Sequence, residues 1–166
     1  MRTKYFLHIV IACMIFPGFT SAQSKPPGGF DQLKSLVGEW EGTLSKGGTA
    51  RISYQLVSGG TALLERLSAG AEPEMVTMYT ADGNYLAMTH YCDAGNQPHM
   101  RTGPATHASN VFSFNFVSAT NLASPEAGHM DHLVITLLDK DHFSQAWTWK
   151  EKGKTSVTVF KFTRKG

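Results

Sequence analysis

Phe30-Asp31-Gln32-Leu33-Lys34-Ser35-Leu36-Val37-Gly38-Glu39-Trp40-Glu41-Gly42-Thr43-Leu44-Ser45 contains the change of period that decides the fold. Phe30, Leu33, Leu36 and Val37 recur at helical spacing, so one short amphipathic helix is expected there. From Gly38 the repeat shortens to two. Gly38, Trp40, Gly42 and Leu44 share one side and Glu39, Glu41 and Thr43 the other, the pattern of a half-buried strand with Trp40 turned inward.

The same period continues to the end of the chain. Strands are expected at Gly38 to Ser45, Thr49 to Val57, Thr61 to Ala69, Glu74 to Thr80, Tyr85 to Asp93 and His99 to Gly103. Four more follow, at Asn110 to Val117, His129 to Leu138, His142 to Glu151 and Thr155 to Arg164. Gly47-Gly48, Ser58-Gly59-Gly60, Asp82-Gly83-Asn84 and Lys152-Gly153-Lys154 supply turn residues that accept positive φ, so their flanking strands should form hairpins. A meander of hairpins with no crossover helix removes its edges best by closing on itself. The expected fold is therefore all-β: an antiparallel up-and-down barrel of about ten strands with one short N-terminal helix.

Ahead of this domain the chain reads as a targeting segment. Arg2 and Lys4 precede an almost uncharged run from Tyr5 to Phe19, and small residues follow at Thr20 and Ala22, which is the pattern of a secretory signal peptide cut after Ala22. The alternative is lipoprotein processing at Cys13, after Val10-Ile11-Ala12. Residues 1–22 are thus assigned to the signal, 23–29 to a proline- and glycine-rich linker, and 30–166 to a single barrel domain, periplasmic or extracellular. The signal takes Arg2 and Lys4 and no acid from the 15 basic and 13 acidic residues, leaving 13 of each. So even a balance gives no footprint for nucleic acid, and no membrane-spanning segment is expected after cleavage. Cys92 would be the only thiol left, unable to form an intramolecular disulfide.

Gly38-Glu39-Trp40 at the start of the first strand, with Arg164 near the end of the last, resembles the G-x-W and terminal-arginine signature of calycins, the superfamily of lipocalins and fatty-acid-binding proteins. First and last strands are neighbours in a closed barrel, so Arg164 should stack on the Trp40 ring as a structural pair. The strand count and the helix ahead of the first strand look closer to nitrobindin-like barrels and related uncharacterised bacterial secreted proteins. The resemblance implies a small, largely apolar ligand inside the barrel. Nitrobindins hold haem through a histidine near the C-terminal end; no histidine follows His142 here, so that ligand has no counterpart.

The stretch densest in reactive groups is Tyr85 to Arg101. Alternation puts Leu86, Met88, His90 and Cys92 on one face, taken as inward, so that an imidazole and a thiol enter the same cavity. Such a pair could ligate a soft metal or haem iron, or act as base and nucleophile; equally, both are ordinary buried side chains. Asn96 and Gln97 are expected at the barrel mouth, as ligand contacts or as loop caps. In Gly128-His129-Met130-Asp131-His132 the two histidines fall on opposite faces of a strand unless a bulge intervenes. The inner set is read as Met130, His132, Val134 and Leu138, with Leu133, Ile135 and Leu137 outward against the helix or a partner, which makes a homodimer one expectation. Phe112, Phe114 and Phe116 form an aromatic stripe, as do Phe143, Trp147 and Trp149 with Gln145, and either Glu65 or Arg66 would be a buried charge needing a partner.

No G-x-S-x-G, S-x-x-K, H-E-x-x-H, C-x-x-C, P-loop or dinucleotide fingerprint occurs, so no catalytic role is assigned and the cofactor is left unknown. The leading reading is a secreted barrel binding a small apolar or amphipathic ligand. Trp40 and the phenylalanine stripe would form its wall, and Met88, His90, Cys92, Asn96, Gln97, Arg101 and His132 would line its site. The rivals are an enzyme or a metal or haem protein using His90 and Cys92 with His132 or Asp131, and a structural protein without ligand.

Overall fold

The computed structural model describes residues 28–104 and 109–166. The expected signal peptide and most of the linker lie outside these. A helical stretch, α1 (Gly28–Leu33), is continued by a short tighter turn, Lys34–Leu36, and so takes in the last two residues of the expected linker. Ten strands follow: β1 (Gly38–Leu44), β2 (Thr49–Val57), β3 (Ala62–Ala69), β4 (Met75–Asp82), β5 (Tyr85–Tyr91), β6 (Gln97–Thr102), β7 (Val111–Thr120), β8 (His129–Leu137), β9 (His142–Glu151) and β10 (Lys154–Arg164). Each pairs antiparallel with its neighbours in sequence, and β1 pairs with β10, so the sheet closes into a ten-stranded up-and-down barrel.

The helical segment closes one end. Phe30, Leu33 and Leu36 are fully buried in the core, and the Trp40 indole donates to the Leu36 carbonyl at 2.8 Å. The ring of Trp40 meets Phe143 edge-on at 4.7 Å, and Phe143 stacks in turn on Phe162. Gly42 is required beside this stack: a Cβ there would lie 2.5 Å from the Lys161 carbonyl and from the Phe162 ring. The opposite end, where the turns after β1, β3, β5, β7 and β9 gather, is the mouth.

Two face assignments are corrected. In β8 the register shifts between Met130 and His132, one residue more than simple alternation allows, so Leu133 and Ile135 point into the core and Leu137 packs against it. The residues that suggested a partner surface therefore face the interior, and His132 turns to the outside, 3.3 Å from Ser113 Oγ. In the aromatic stripe of β7, Phe112 and Phe114 are buried, but Phe116 is not part of that core and lies against the His129 ring at 4.7 Å.

Candidate functional site

A single row of side chains crosses four adjacent strands inside the barrel. Tyr54 of β2 pairs with Glu65 of β3, Glu65 with Thr77 of β4, and Thr77 with His90 of β5. Directly opposed residues on one sheet face have touching side chains. Here all four are polar and buried.

Glu65 is at the centre, with no exposed surface. Its Oε2 accepts the Tyr54 and Tyr79 hydroxyls at 2.7 Å each and the Gln145 amide at 2.8 Å, and its Oε1 lies 3.1 Å from the Thr77 hydroxyl. Gln145 reaches across from β9, also donating to the Tyr54 oxygen, and is itself held by the Trp147 indole at 2.9 Å. Burial pushes the Glu65 carboxyl above its usual range, and the four surrounding donors oppose that shift by favouring the anion. Burial and the neighbouring carboxylate push both phenols well up, so Tyr54 and Tyr79 stay protonated as donors.

His90 joins this cluster to a cavity. Its Nδ1 lies 2.9 Å from Thr77 Oγ1, its ring rests against Trp147 at 4.6 Å, and burial lowers its pKa to about 4, so it is neutral at ordinary pH. Nε2, at the other edge of the ring, is buried and has no hydrogen-bond partner among the described residues. His90 also lines a cavity of about 320 Å³ at the mouth, together with Leu67, Met75, Met130, Trp147, Trp149 and Phe160 and the charged Lys46 and Glu72. A polar group entering the cavity would have to displace a side chain to reach the buried Nε2. Met75 and Met130, unbranched and adaptable, are suited to such movement.

The expected site residues separate into groups. His90 lines the cavity and Met88 is buried on the same face of β5. Cys92 is buried just past the end of β5 with Sγ 3.4 Å from Asp93 Oδ1, and is not among the cavity-lining residues. Burial raises its thiol to about 11, which keeps it protonated and a poor nucleophile or ligand. Arg101 is on the outside of the barrel, over the Tyr85 ring at 4.3 Å and 3.7 Å from Asp82, because it follows the buried Met100 by one residue. His132 faces outward for the reason given above.

Asn96 is buried as a loop brace, donating to the Gly128 carbonyl at 2.9 Å, and Gln97 bonds Gly95 and Thr120 near the surface. Trp40 belongs to the closed end; the aromatic wall of the cavity comes from Trp147, Trp149 and Phe160 instead. Among the described residues, no three His, Cys, Asp or Glu side chains are grouped to hold a metal ion. Sequence reasoning missed Tyr54, Tyr79 and Thr77, and placed Gln145 on the aromatic face of its strand without giving it a role in a site. The available signal was Glu65, whose place between Leu63 and Leu67 on one face marked a buried charge in want of donors.

With this geometry in view, the chain can be set beside known proteins. A solved structure of a protein of unknown function from the DUF3598 family of Nostoc punctiforme superposes with a TM-score of 0.57 at 17% identity. The likeness is one of fold. It covers 81% of this chain and 49% of that one, so this chain spans about half the length of its neighbour. A structure of EF1p2_mFAP2b bound to DFHBI aligns over 80% of this chain and 96% of its own at 11% identity, with a TM-score of 0.34. No family model matches the chain, and no curated protein matches it.

Proposed function

We propose that this protein is an exported barrel that binds a small, largely apolar molecule in the cavity at the mouth, with one polar group of that molecule anchored at His90 Nε2. The observation that carries this reading is the unpartnered, buried Nε2 of His90, a residue that lines a cavity walled by indole, phenyl and thioether groups. A buried polar atom without a partner is costly, and a pocket of apolar walls with few polar groups is the usual form of a small-molecule site. The closed barrel fold is compatible with this use, though fold alone does not specify it. Export is supported by the signal-like pattern of residues 1–22.

The test is native mass spectrometry with an absorption spectrum on protein purified from its own secretory compartment, where the N-terminus of the processed chain is also read. A bound mass that is lost on denaturation and absent from His90→Ala supports the reading. A bound mass retained in His90→Ala places the ligand elsewhere. A haem band would favour the rival in which Nε2 ligates iron, since a neutral imidazole nitrogen is also a metal ligand.

A further inference from the structure

Thr77 carries one hydroxyl proton and stands between Glu65 Oε1 at 3.1 Å and His90 Nδ1 at 2.9 Å. A hydroxyl donates one hydrogen bond and accepts others, and a neutral imidazole donates from one nitrogen only. With His90 neutral, two arrangements satisfy the row. When Glu65 is ionised, Thr77 donates to Oε1, the Nδ1 hydrogen of His90 donates to Thr77, and Nε2 is a bare lone pair. When Oε1 carries a proton, Glu65 donates to Thr77, Thr77 donates to Nδ1, and the imidazole hydrogen sits on Nε2.

Oε2 is unsuited to that proton, because it already receives both tyrosine hydroxyls and the Gln145 amide. The two arrangements differ by one proton, taken from water. The other groups around His90 do not replace this link. Tyr54 and Tyr79 donate to Glu65, Gln145 and Trp147 present amide and indole, Cys92 is a protonated thiol, and Lys46, Glu72 and Asp93 carry the nearby charges toward the mouth.

We propose, resting on the ligand-binding reading above, that the cavity sorts ligands by hydrogen-bond polarity through Glu65. A ligand that donates, such as a phenol, alcohol or azole N–H, takes the Nε2 lone pair with Glu65 ionised. A ligand that only accepts, such as a ketone or ester, takes the Nε2 hydrogen with Glu65 protonated.

Naphthol and acetylnaphthalene, similar in size and opposite in polarity, are the probes. Calorimetry in buffers of different ionisation enthalpy counts the protons exchanged on binding. Whatever the charge of Glu65 in the free protein, acetylnaphthalene should take up about one proton more than naphthol, and its affinity should fall about tenfold per pH unit relative to naphthol's. Thr77→Val should abolish the difference and Thr77→Ser should keep it.

Equal proton counts for the two probes overturn the proposal while leaving the cavity as a binding site. If neither probe binds, the cavity reading itself fails. The relay is then judged in the free protein by the nitrogen NMR spectrum of His90. Conversion from the Nδ1–H to the Nε2–H form as pH falls, before any imidazolium appears, supports it. One tautomer kept until the ring becomes charged overturns it.

Discussion

The guanidinium of Arg164 lies 4.0 Å over the ring of Trp40, its direct partner across the pair of strands that closes the barrel. The two side chains also grip the same turn of backbone. Trp40 donates to the Leu36 carbonyl, while Arg164 donates to Ser35 at 2.7 Å and Val37 at 2.9 Å. Carbonyls at the end of a helical segment lack partners within it, so this clamp both closes the sheet and holds the plug in place. Arg164→Ala should cost about 2–3 kcal/mol, from the lost stacking and the charge-assisted hydrogen bonds. Arg164→Lys should lose roughly half as much, keeping the charge but not the planar fork. Urea unfolding checks this: the midpoint should fall with the slope unchanged, and an unmoved midpoint in the alanine variant would remove the clamp from the account.

Glu65 is surrounded by donors that have few other acceptors, so its removal should cost more than the loss of one side chain. Glu65→Ala leaves Tyr54, Tyr79 and Gln145 facing an apolar gap and should destabilise by about 3–5 kcal/mol. Glu65→Gln should cost far less, because its carbonyl can still accept from the tyrosines while its amide donates to Thr77. That variant should also fix His90 in the Nε2–H form, visible in the nitrogen spectrum, and an Nδ1–H signal there would contradict the hydrogen-bond directions assigned to the row.

Acid should act on His90 and Glu65 in opposite directions. His90 has a folded pKa of about 4 against an ordinary value of 6.5, so between those pH values the unfolded chain holds a proton that the folded chain does not. Stability is therefore lost as pH falls through this window, by on the order of 3 kcal/mol at its lower end. Glu65, with its pKa raised by burial, binds its proton more readily when folded, so acidification through its own range favours the folded state. Denaturant titrations from neutral pH down to about 4 should show a shallower acid loss in His90→Gln than in the parent chain. Coincident acid limbs would mean that His90 does not titrate as its burial requires.

The barrel was legible because its determinants are local. The period changes at Gly38, Gly-rich turns follow most strands, and Trp40 and Arg164 fall on matching faces of the first and last strands, where the structure pairs them. The site was legible only in part, because it depends on register across strands far apart in sequence. Tyr54, Glu65, Thr77 and His90 are separated by 11, 12 and 13 residues, and a slip of one residue in any hairpin would turn a member to the outside. Glu65 could be marked as a charge needing partners, but nothing local pointed to Gln145, 80 residues away across the barrel. The reversed faces of β8 have the same origin, since an irregular residue between Met130 and His132 is invisible to a strict alternation.

That irregular strand also supplies a prediction about the cavity. Gly128, just before β8, lies against the Trp149 ring so closely that an added Cβ would be 2.1 Å from Cζ2 and 2.9 Å from Cε2. The backbone there is tied down, since the Gly128 carbonyl accepts from buried Asn96. In Gly128→Ala the indole is therefore the part that moves. Trp149 forms a wall of the cavity, so its displacement changes the cavity's shape, while Tyr54, Glu65, Thr77 and His90 lie on β2 to β5, three or more strands from β8 in the sheet order. Forced overpacking of this kind costs about 1–3 kcal/mol. Gly128→Ala should accordingly bind naphthol at least several-fold more weakly while remaining folded, with a changed Trp fluorescence maximum and an unchanged His90 nitrogen spectrum. Unaltered naphthol affinity together with a shifted indole would show that Trp149 is not a wall of the binding site.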